Sequence, residues 1–279
     1  MPGAEANARE FDRLGPVRGL ETAANAVGRV LIGFVEWFGE LGIFIWRVVR
    51  AAVTPPFEFR ELLRQMDDIG AKSLPLIALA GAATGVVMSL QTRDSLTRFG
   101  AKSMMPTVII FSLIRETGPI IAGLMASGRV GAGIGAELGS MKVTEQIDAM
   151  EVSAVDPYKF LVATRVAACI LMLPLLTLAA DFCGILLGWV AVTLQGPISL
   201  SYFLHTGMQE VGFDDFLPPT FKTAIFGLII GVVACFFGMN TKGGTEGVGR
   251  SATRSVVVAS LLIVVADVVL VRLISVLFP

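Results

Sequence analysis

Charged and metal-binding side chains are scarce in this chain. Charged residues make up 16% of its 279 residues, there are one histidine and three cysteines, and the net charge is -1. A near-neutral chain without a basic stretch argues against a general nucleic-acid-binding surface. Cys169, Cys183 and Cys235 lie in apolar runs without metal-ligand spacing, so we interpret them as small core residues. We interpret His205, in a loop, as a surface residue.

Motifs for catalysis are missing as well. The chain contains no P-loop sequence, no HExxH and no GxSxG elbow. Gly131, Gly133 and Ala136 satisfy a relaxed dinucleotide fingerprint, but an apolar run precedes them where that fold requires a strand. The sequence therefore predicts no catalytic residue, no metal site and no bound cofactor.

Apolar residues dominate what is present. They make up 54% of the chain, and the mean hydropathy is +0.75, which is typical of an integral membrane protein. A helix needs about 20 apolar residues to cross a bilayer. The chain is therefore predicted to be an all-α membrane protein with five transmembrane helices, at Leu74–Leu90, Met104–Met125, Phe160–Leu194, Phe221–Met239 and Ser255–Phe278.

Lysine and arginine predict the orientation of these spans. They are concentrated in 1–72, 140–159 and 240–254, whereas 196–220 has none and is acidic. Because cytoplasmic loops carry the excess of Lys and Arg, the N-terminus is predicted inside and the C-terminus outside. The predicted first outer loop, 91–103, carries three cations and is an exception that topology does not explain.

An amphipathic helix is predicted before the first span, over about 26–53. The charged residues Arg29, Glu36, Glu40 and Arg47 share a narrow sector of the helical wheel, and apolar side chains cover most of the rest. This profile is typical of a helix in the membrane interface, although a further span with its charges turned into a bundle has the same pattern. The predicted organisation is a polar tail at 1–25, this helix with a charged connector at 26–72, and a five-span domain at 73–279.

A charged segment, Ser140–Pro157, separates the second and third runs. Its apolar stripe at helical spacing consists of Val143, Ile147, Met150 and Ala154. Charged side chains crowd the opposite side. The pattern predicts a short amphipathic helix outside the bilayer that offers an apolar face to a partner.

Charges also occur inside the spans. Arg115 and Glu116 lie in the second run, where a charge costs about 2.5 to 3.5 kcal/mol on insertion scales. One interpretation pairs Arg115 with Asp181 or Asp267 across the bundle. The other turns Arg115 or Glu116 into a substrate cavity, since neighbouring helical residues point about 100° apart.

Several motifs together resemble a known family. RETGP, EQIDAM, VDP and LPLL follow one another within Ser112–Thr177, and TKGGTEGVGRSATRSVV occupies Thr241–Val257. These stretches, with Gly85–Gln91, are similar to the MlaE-type permeases, also called YrbE. Members of that family are the membrane subunits of ABC lipid transporters associated with MCE proteins.

The resemblance implies a homodimer in the bacterial inner membrane, with a cytoplasmic N-terminus and a periplasmic C-terminus. It also implies a coupling helix at 141–156, seated in a separate cytoplasmic ABC ATPase that binds ATP and Mg. A periplasmic MCE-domain protein and, in some members, a small STAS-domain protein complete the complex. The chain itself is then not an enzyme. The implied coupling residues are Lys142, Glu145, Gln146, Asp148, Met150, Glu151 and Asp156.

The resemblance further implies a lipid cavity, enclosed by the dimer and built from the first, second and fifth spans. Positions that match its lining are Met88, Ser95, Leu96, Phe99, Glu116 and Thr117, to which the intramembrane charge adds Arg115. The implied function is to move phospholipid or a related hydrophobic substrate between the inner membrane and the MCE protein, driven by the ATPase.

Two alternative functions stay open at this point. An ion-coupled secondary transporter could use Arg115, Glu116, Asp181 and Asp267 as a relay, but such transporters usually show paired repeats with broken helices. Five unequal spans do not divide that way. A non-transporting scaffold for a periplasmic assembly would need the spans but not the intramembrane charges.

Overall fold

The computed structural model describes residues 32, 33, 35–55 and 57–277. All regular secondary structure in these ranges is helical, which confirms the all-α prediction. Five helices are long and apolar enough to cross a membrane, as predicted. The predicted tail at 1–25 lies outside the described residues, and the predicted three-part division of the chain stays a prediction.

The helices are α1 (35–53), α2 (Phe59–Arg98), α3 (Lys102–Val143), α4 (Gln146–Val152), α5 (Tyr158–Thr193), α6 (Leu200–Met208), α7 (Phe213–Met239) and α8 (Gly244–Leu277). The candidate spans are α2, α3, α5, α7 and α8. With 42 residues, α3 is about 60 Å long, twice the thickness of the hydrocarbon core. The spans therefore extend beyond the bilayer, and parts of the predicted connector (58–72) and outer loops (91–103, 196–220) are in fact helical.

By its contacts the chain divides into two units, 1–47 and 48–279. In the described part of the first unit, residues 35–47 are helical, and Glu36, Glu40 and Arg47 are exposed. Residues 26–31 of the predicted amphipathic helix lie outside the described residues. Its location in the membrane interface stays a prediction.

Small residues let α2 approach α5 closely. Gly81 lies against Ala180, and Gly85 lies against Gly184. A Cβ atom at either α2 position would overlap the backbone of α5. Because hydrophobic burial does not drive helices together within a bilayer, such close backbone contact is a main source of their association.

Two π-helical turns interrupt α3, at Leu113–Thr117 and Ser127–Gly131. A π-turn adds one residue to a helical turn and so rotates the faces that follow it. The first contains Arg115 and Glu116, and the second contains Arg129. The membrane-embedded charges of α3 thus lie at its irregular turns, which occur often at functional sites.

The charged segment after α3 forms two helices with a break between them. The helix α3 continues to Val143, Glu145 adopts φ of 59°, and α4 covers only Gln146–Val152. Within α4, Ile147 is 1% exposed. The prediction of one helix was therefore wrong in its bounds, and Ala154 is not on its apolar face, because it lies beyond α4 with φ of 60° and is exposed.

Candidate functional site

Three charged side chains meet between α3, α7 and α8. Lys222 Nζ lies 2.9 Å from Glu116 Oε2 and 3.0 Å from Asp267 Oδ1. The exposed fractions of these side chains are 1% for Lys222, 7% for Asp267 and 41% for Glu116. One buried cation thus faces two carboxylates. The excess negative charge lies on Glu116, the carboxylate that water or a ligand can reach.

Because Lys222 is buried, its charge requires nearby carboxylates. A buried ammonium without partners is strongly unfavourable, so the two carboxylates compensate its charge. Among the described residues, Asp267 Oδ1 has no partner with hydrogen-bond geometry despite its short distance to Lys222. The cluster therefore keeps acceptor capacity for a ligand or a proton.

A cavity of about 460 Å³ opens beside this cluster. Glu116, Asp267 and Arg272 contribute charged groups to its lining, and Val268 and Val271 of α8 form an apolar wall. A separate cavity of about 270 Å³ lies along α2, where Met88 is among the lining residues. A charged end next to an apolar wall suits a substrate that is itself amphipathic.

Arg115 points away from this cavity. Its Nη1 atom lies 3.2 Å from Asp215 Oδ1, and the guanidinium carbon lies 5.2 Å from the ring centre of Phe111. The predicted pairing of Arg115 with Asp181 or Asp267 is therefore wrong. The reason is that Asp215, expected in a loop, belongs to the first turn of α7 and so comes within reach of Arg115.

The charges proposed for a relay are not brought together. Asp181 is 4% exposed and lies against Gly118 of α3, and neither of its oxygens has a hydrogen-bond partner among the described residues. Glu116 and Asp267 meet at their shared lysine, whereas Arg115 is engaged elsewhere. The structure therefore does not connect the four groups that the ion-coupled alternative requires.

The segment around α4 presents charge to the solvent. Lys142 Nζ donates to Asp148 Oδ1 at 2.6 Å, which braces α4 against the end of α3. Glu145 and Glu151 are exposed, as is Gln146. At the far end, Asp156 Oδ1 accepts a hydrogen bond of 2.9 Å from the backbone N–H of the first residue of α5. Asp156 thus helps to begin the third span.

An ion pair between a buried arginine and an exposed glutamate joins the adjoining ends of α3 and α5. Arg165 is 2% exposed, and its Nη2 atom donates to Glu137 Oε1 at 2.8 Å. Its Nη1 atom donates to the carbonyl of Leu161 at 3.0 Å. Any displacement of α4 therefore acts on two spans that are already linked.

The family model described as Permease MlaE matches residues 62–273. The chain belongs to the MlaE permease family. This confirms the resemblance found in the motifs, and together with the five spans it shows a multi-pass transmembrane permease subunit.

Named relatives agree with this assignment. A probable ABC transporter permease protein of Rickettsia felis is 36% identical over 250 residues, which cover 90% of this chain and 96% of the relative. Another from Synechocystis is 35% identical over 208 residues, covering 75% and 79%. The chloroplastic protein trigalactosyldiacylglycerol 1 of Arabidopsis thaliana is 32% identical over 235 residues, covering 84% and 67%.

In this MlaE-family permease, the residues predicted to line a lipid cavity are dispersed within one chain. Met88 lines the α2 cavity, and Glu116 lines the α3–α8 cavity. Leu96 is partly buried against an apolar core cluster, whereas Phe99 is 84% exposed. The other predicted residues are Ser95, which is exposed, Thr117, which is half-buried, and Arg115. Their role in lipid binding stays a prediction.

Lys222, the cation at the centre of the cluster, was not among the residues predicted from the sequence. It was the second residue of the predicted fourth span, where a lysine is expected to reach the membrane surface. Because α7 begins at Phe213, Lys222 lies about 13 Å along that helix, at about 1.5 Å per residue. The available signal was the absence of any other Lys or Arg in 196–239, which left this cation without a topological role.

Proposed function

We propose that this permease moves a phospholipid or a related hydrophobic substrate between the bacterial inner membrane and a periplasmic MCE-domain protein. The observation that carries the proposal is the cavity between α3 and α8, with its charged end at Glu116 and Arg272 and its wall of Val268 and Val271. A polar end and an apolar wall fit the headgroup and chains of a lipid. The name of the Arabidopsis relative, which is that of a galactolipid, supports the same substrate class.

We further propose that the energy comes from a separate cytoplasmic ABC ATPase, which binds ATP and Mg and docks on α4. The relatives named as probable ABC transporter permeases support such a partner. Ile147 anchors α4, while Glu145 and Glu151 are exposed and available to a partner. ATP-driven movement of α4 would pass directly to α3 through the Lys142–Asp148 pair.

The proposed assembly is a homodimer with its N-terminus in the cytoplasm and its C-terminus in the periplasm. Exposed apolar residues on α2 and α8, such as Leu79 and Leu261, support a second copy or lipid against these faces. Pairing of two copies would bring further walls to the cavity beside Glu116. A STAS-domain protein bound through the ATPase belongs to the same proposal.

Charge reversal on α4 tests the coupling. The variant Glu145→Lys, and separately Glu151→Lys, is expected to reduce lipid transport and ATPase stimulation by roughly tenfold or more, because a close interfacial charge pair contributes roughly 1.5 kcal/mol or more. Asp148 is less suitable, since its reversal also breaks the pair with Lys142. The measurement is ATP-driven transfer of a fluorescent phospholipid in proteoliposomes that contain the permease, its ATPase and its MCE protein.

The control is Glu246→Lys, which reverses another exposed carboxylate, in the first turn of α8. It should leave transport unchanged, and all variants should remain inserted and monodisperse. Full coupling in both α4 variants would exclude α4 as the docking segment. Transport that proceeds without any ATPase would contradict the proposed energy source.

A further inference from the structure

A second polar cavity lies at the end of the bundle that carries α4. It measures about 240 Å³ and is formed by the first half of α2 and the second half of α3. We define this inner cavity by Gln65, Asp68, Lys72, Arg129, Gly133 and Glu137. The three residues of each helix follow one another at intervals of three or four, so two helical faces oppose each other across the space.

The carboxylates of the inner cavity are already engaged. Asp68 pairs with Lys72 on the same helix, and Glu137 accepts from the buried Arg165 at 2.8 Å. Their charges are therefore largely compensated within the protein.

Arg129 has no such compensation. Its Nη1 atom donates to Ser73 Oγ at 2.6 Å, and no carboxylate within the described ranges lies at ion-pair distance from it. The hydrogen bond orients the guanidinium, and its remaining N–H donors keep the planar fork that matches phosphate. The inner cavity thus holds a positioned cation that lacks an anion.

The surface next to the inner cavity is apolar. Leu76 lies one turn after Lys72 in α2, and Met125 lies one turn before Arg129 in α3. Both therefore lie toward the apolar middle of their spans. Leu76 is 41% exposed and Met125 is 37% exposed. Because residues four apart share a helix face, each polar face of the cavity continues into an exposed apolar face. A lipid has the same arrangement, with a polar headgroup followed by apolar acyl chains.

We propose that the inner cavity binds the phosphate of a phospholipid headgroup, with Arg129 as its ligand and the acyl chains along Leu76 and Met125. The site is separate from the cavity at Glu116, with which it shares no lining residue. The site lies at the leaflet next to α4. The proposal of this site rests on the proposed function only in identifying that leaflet as the cytoplasmic one. Arginine–phosphate pairs are charge-assisted and can be bidentate, which makes Arg129 specific for the phosphate of the headgroup.

Photo-crosslinking in nanodiscs tests the site on the isolated permease. The probes are phosphatidylglycerol with a diazirine on the acyl chain and the matching diacylglycerol, which lacks phosphate. We expect phosphatidylglycerol to label peptides that contain Leu76 or Met125. Arg129→Ala should reduce that labelling about tenfold and leave the weaker labelling by diacylglycerol unchanged, whereas Arg129→Lys should retain part of it.

A matched pair of glycine variants tests the cavity without removing a charge. A Cβ atom at Gly133 or at Gly128 meets nothing within 4 Å, and leucine favours the helix at both positions. Only Gly133 lines the inner cavity. Gly133→Leu should therefore abolish the phosphatidylglycerol labelling, and Gly128→Leu should preserve it.

The variant Ser73→Ala separates charge from structural support. It removes the hydrogen bond that orients the guanidinium but leaves the charge of Arg129, so labelling should fall less than in Arg129→Ala. Equal loss in Ser73→Ala and Arg129→Ala would overturn the proposal in favour of an interhelical contact. Unchanged labelling in Arg129→Ala or Gly133→Leu would overturn it as well.

Excess inorganic phosphate distinguishes the source of the ligand. Labelling that survives it supports a lipid headgroup, whereas its complete loss would overturn the lipid assignment in favour of a free phosphate site. The experiment contains no ATPase. Loss of ATP-driven transport together with intact labelling that depends on Arg129 would therefore contradict only the proposed function.

Discussion

Replacing Lys222 by methionine removes one buried ammonium and keeps an unbranched side chain of similar length. The carboxylates of Glu116 and Asp267, at 2.9 Å and 3.0 Å, then lose their common partner. Removing one member of a buried ion pair costs about 3 to 5 kcal/mol. Glu116 can turn toward the cavity, but Asp267 is only 7% exposed, so we expect a loss of about 3 kcal/mol.

The free energy of unfolding, measured by steric trapping in bicelles, gives this loss directly. Adding Asp267→Asn to Lys222→Met should recover most of it, because the second variant removes the charge that the first leaves uncompensated. The control is Arg250→Met, which removes a cation that is 66% exposed and paired with Glu246. Such exposed pairs contribute at most about 1 kcal/mol.

Two results would refute the argument. One is a loss in Lys222→Met no larger than that in Arg250→Met. The other is a double variant that is less stable than Lys222→Met alone. Either would mean that the lysine does not compensate the charge of Asp267.

Two further predictions concern the packing of α2 on α5 and the ion pair between Arg115 and Asp215. Gly85→Leu should prevent α2 from packing on α5, because its Cβ would overlap the backbone of Gly184; size-exclusion chromatography should show aggregation, whereas Gly128→Leu elutes as the unmodified protein. Arg115→Asp should lower stability by about 1 kcal/mol by placing two carboxylates together, and adding Asp215→Arg should restore it. Thermal unfolding in detergent measures this, and an additive double variant would argue against the pair.

Much of the architecture follows from composition along the chain. A membrane span needs a long apolar run whatever its neighbours are, so hydropathy predicts five spans and the polar segment between the second and third. The bounds were less predictable. Helices can continue from an apolar run into polar sequence, and α2 begins at Phe59, shortly after Pro55 and well before Leu74, where the predicted span starts.

The amino-acid order alone could identify Arg115, Glu116 and Asp267 as charges that need partners in a membrane, but not which partners. The partners depend on how each helix is rotated about its axis, and the π-turn at Leu113–Thr117 changes that rotation within α3. Packing of α7 and α8 against α3 then puts Lys222 between two carboxylates. Hydrophobicity acts on whole segments, whereas an ion pair requires two particular atoms to come within a few ångströms, and only the packed bundle determines that distance.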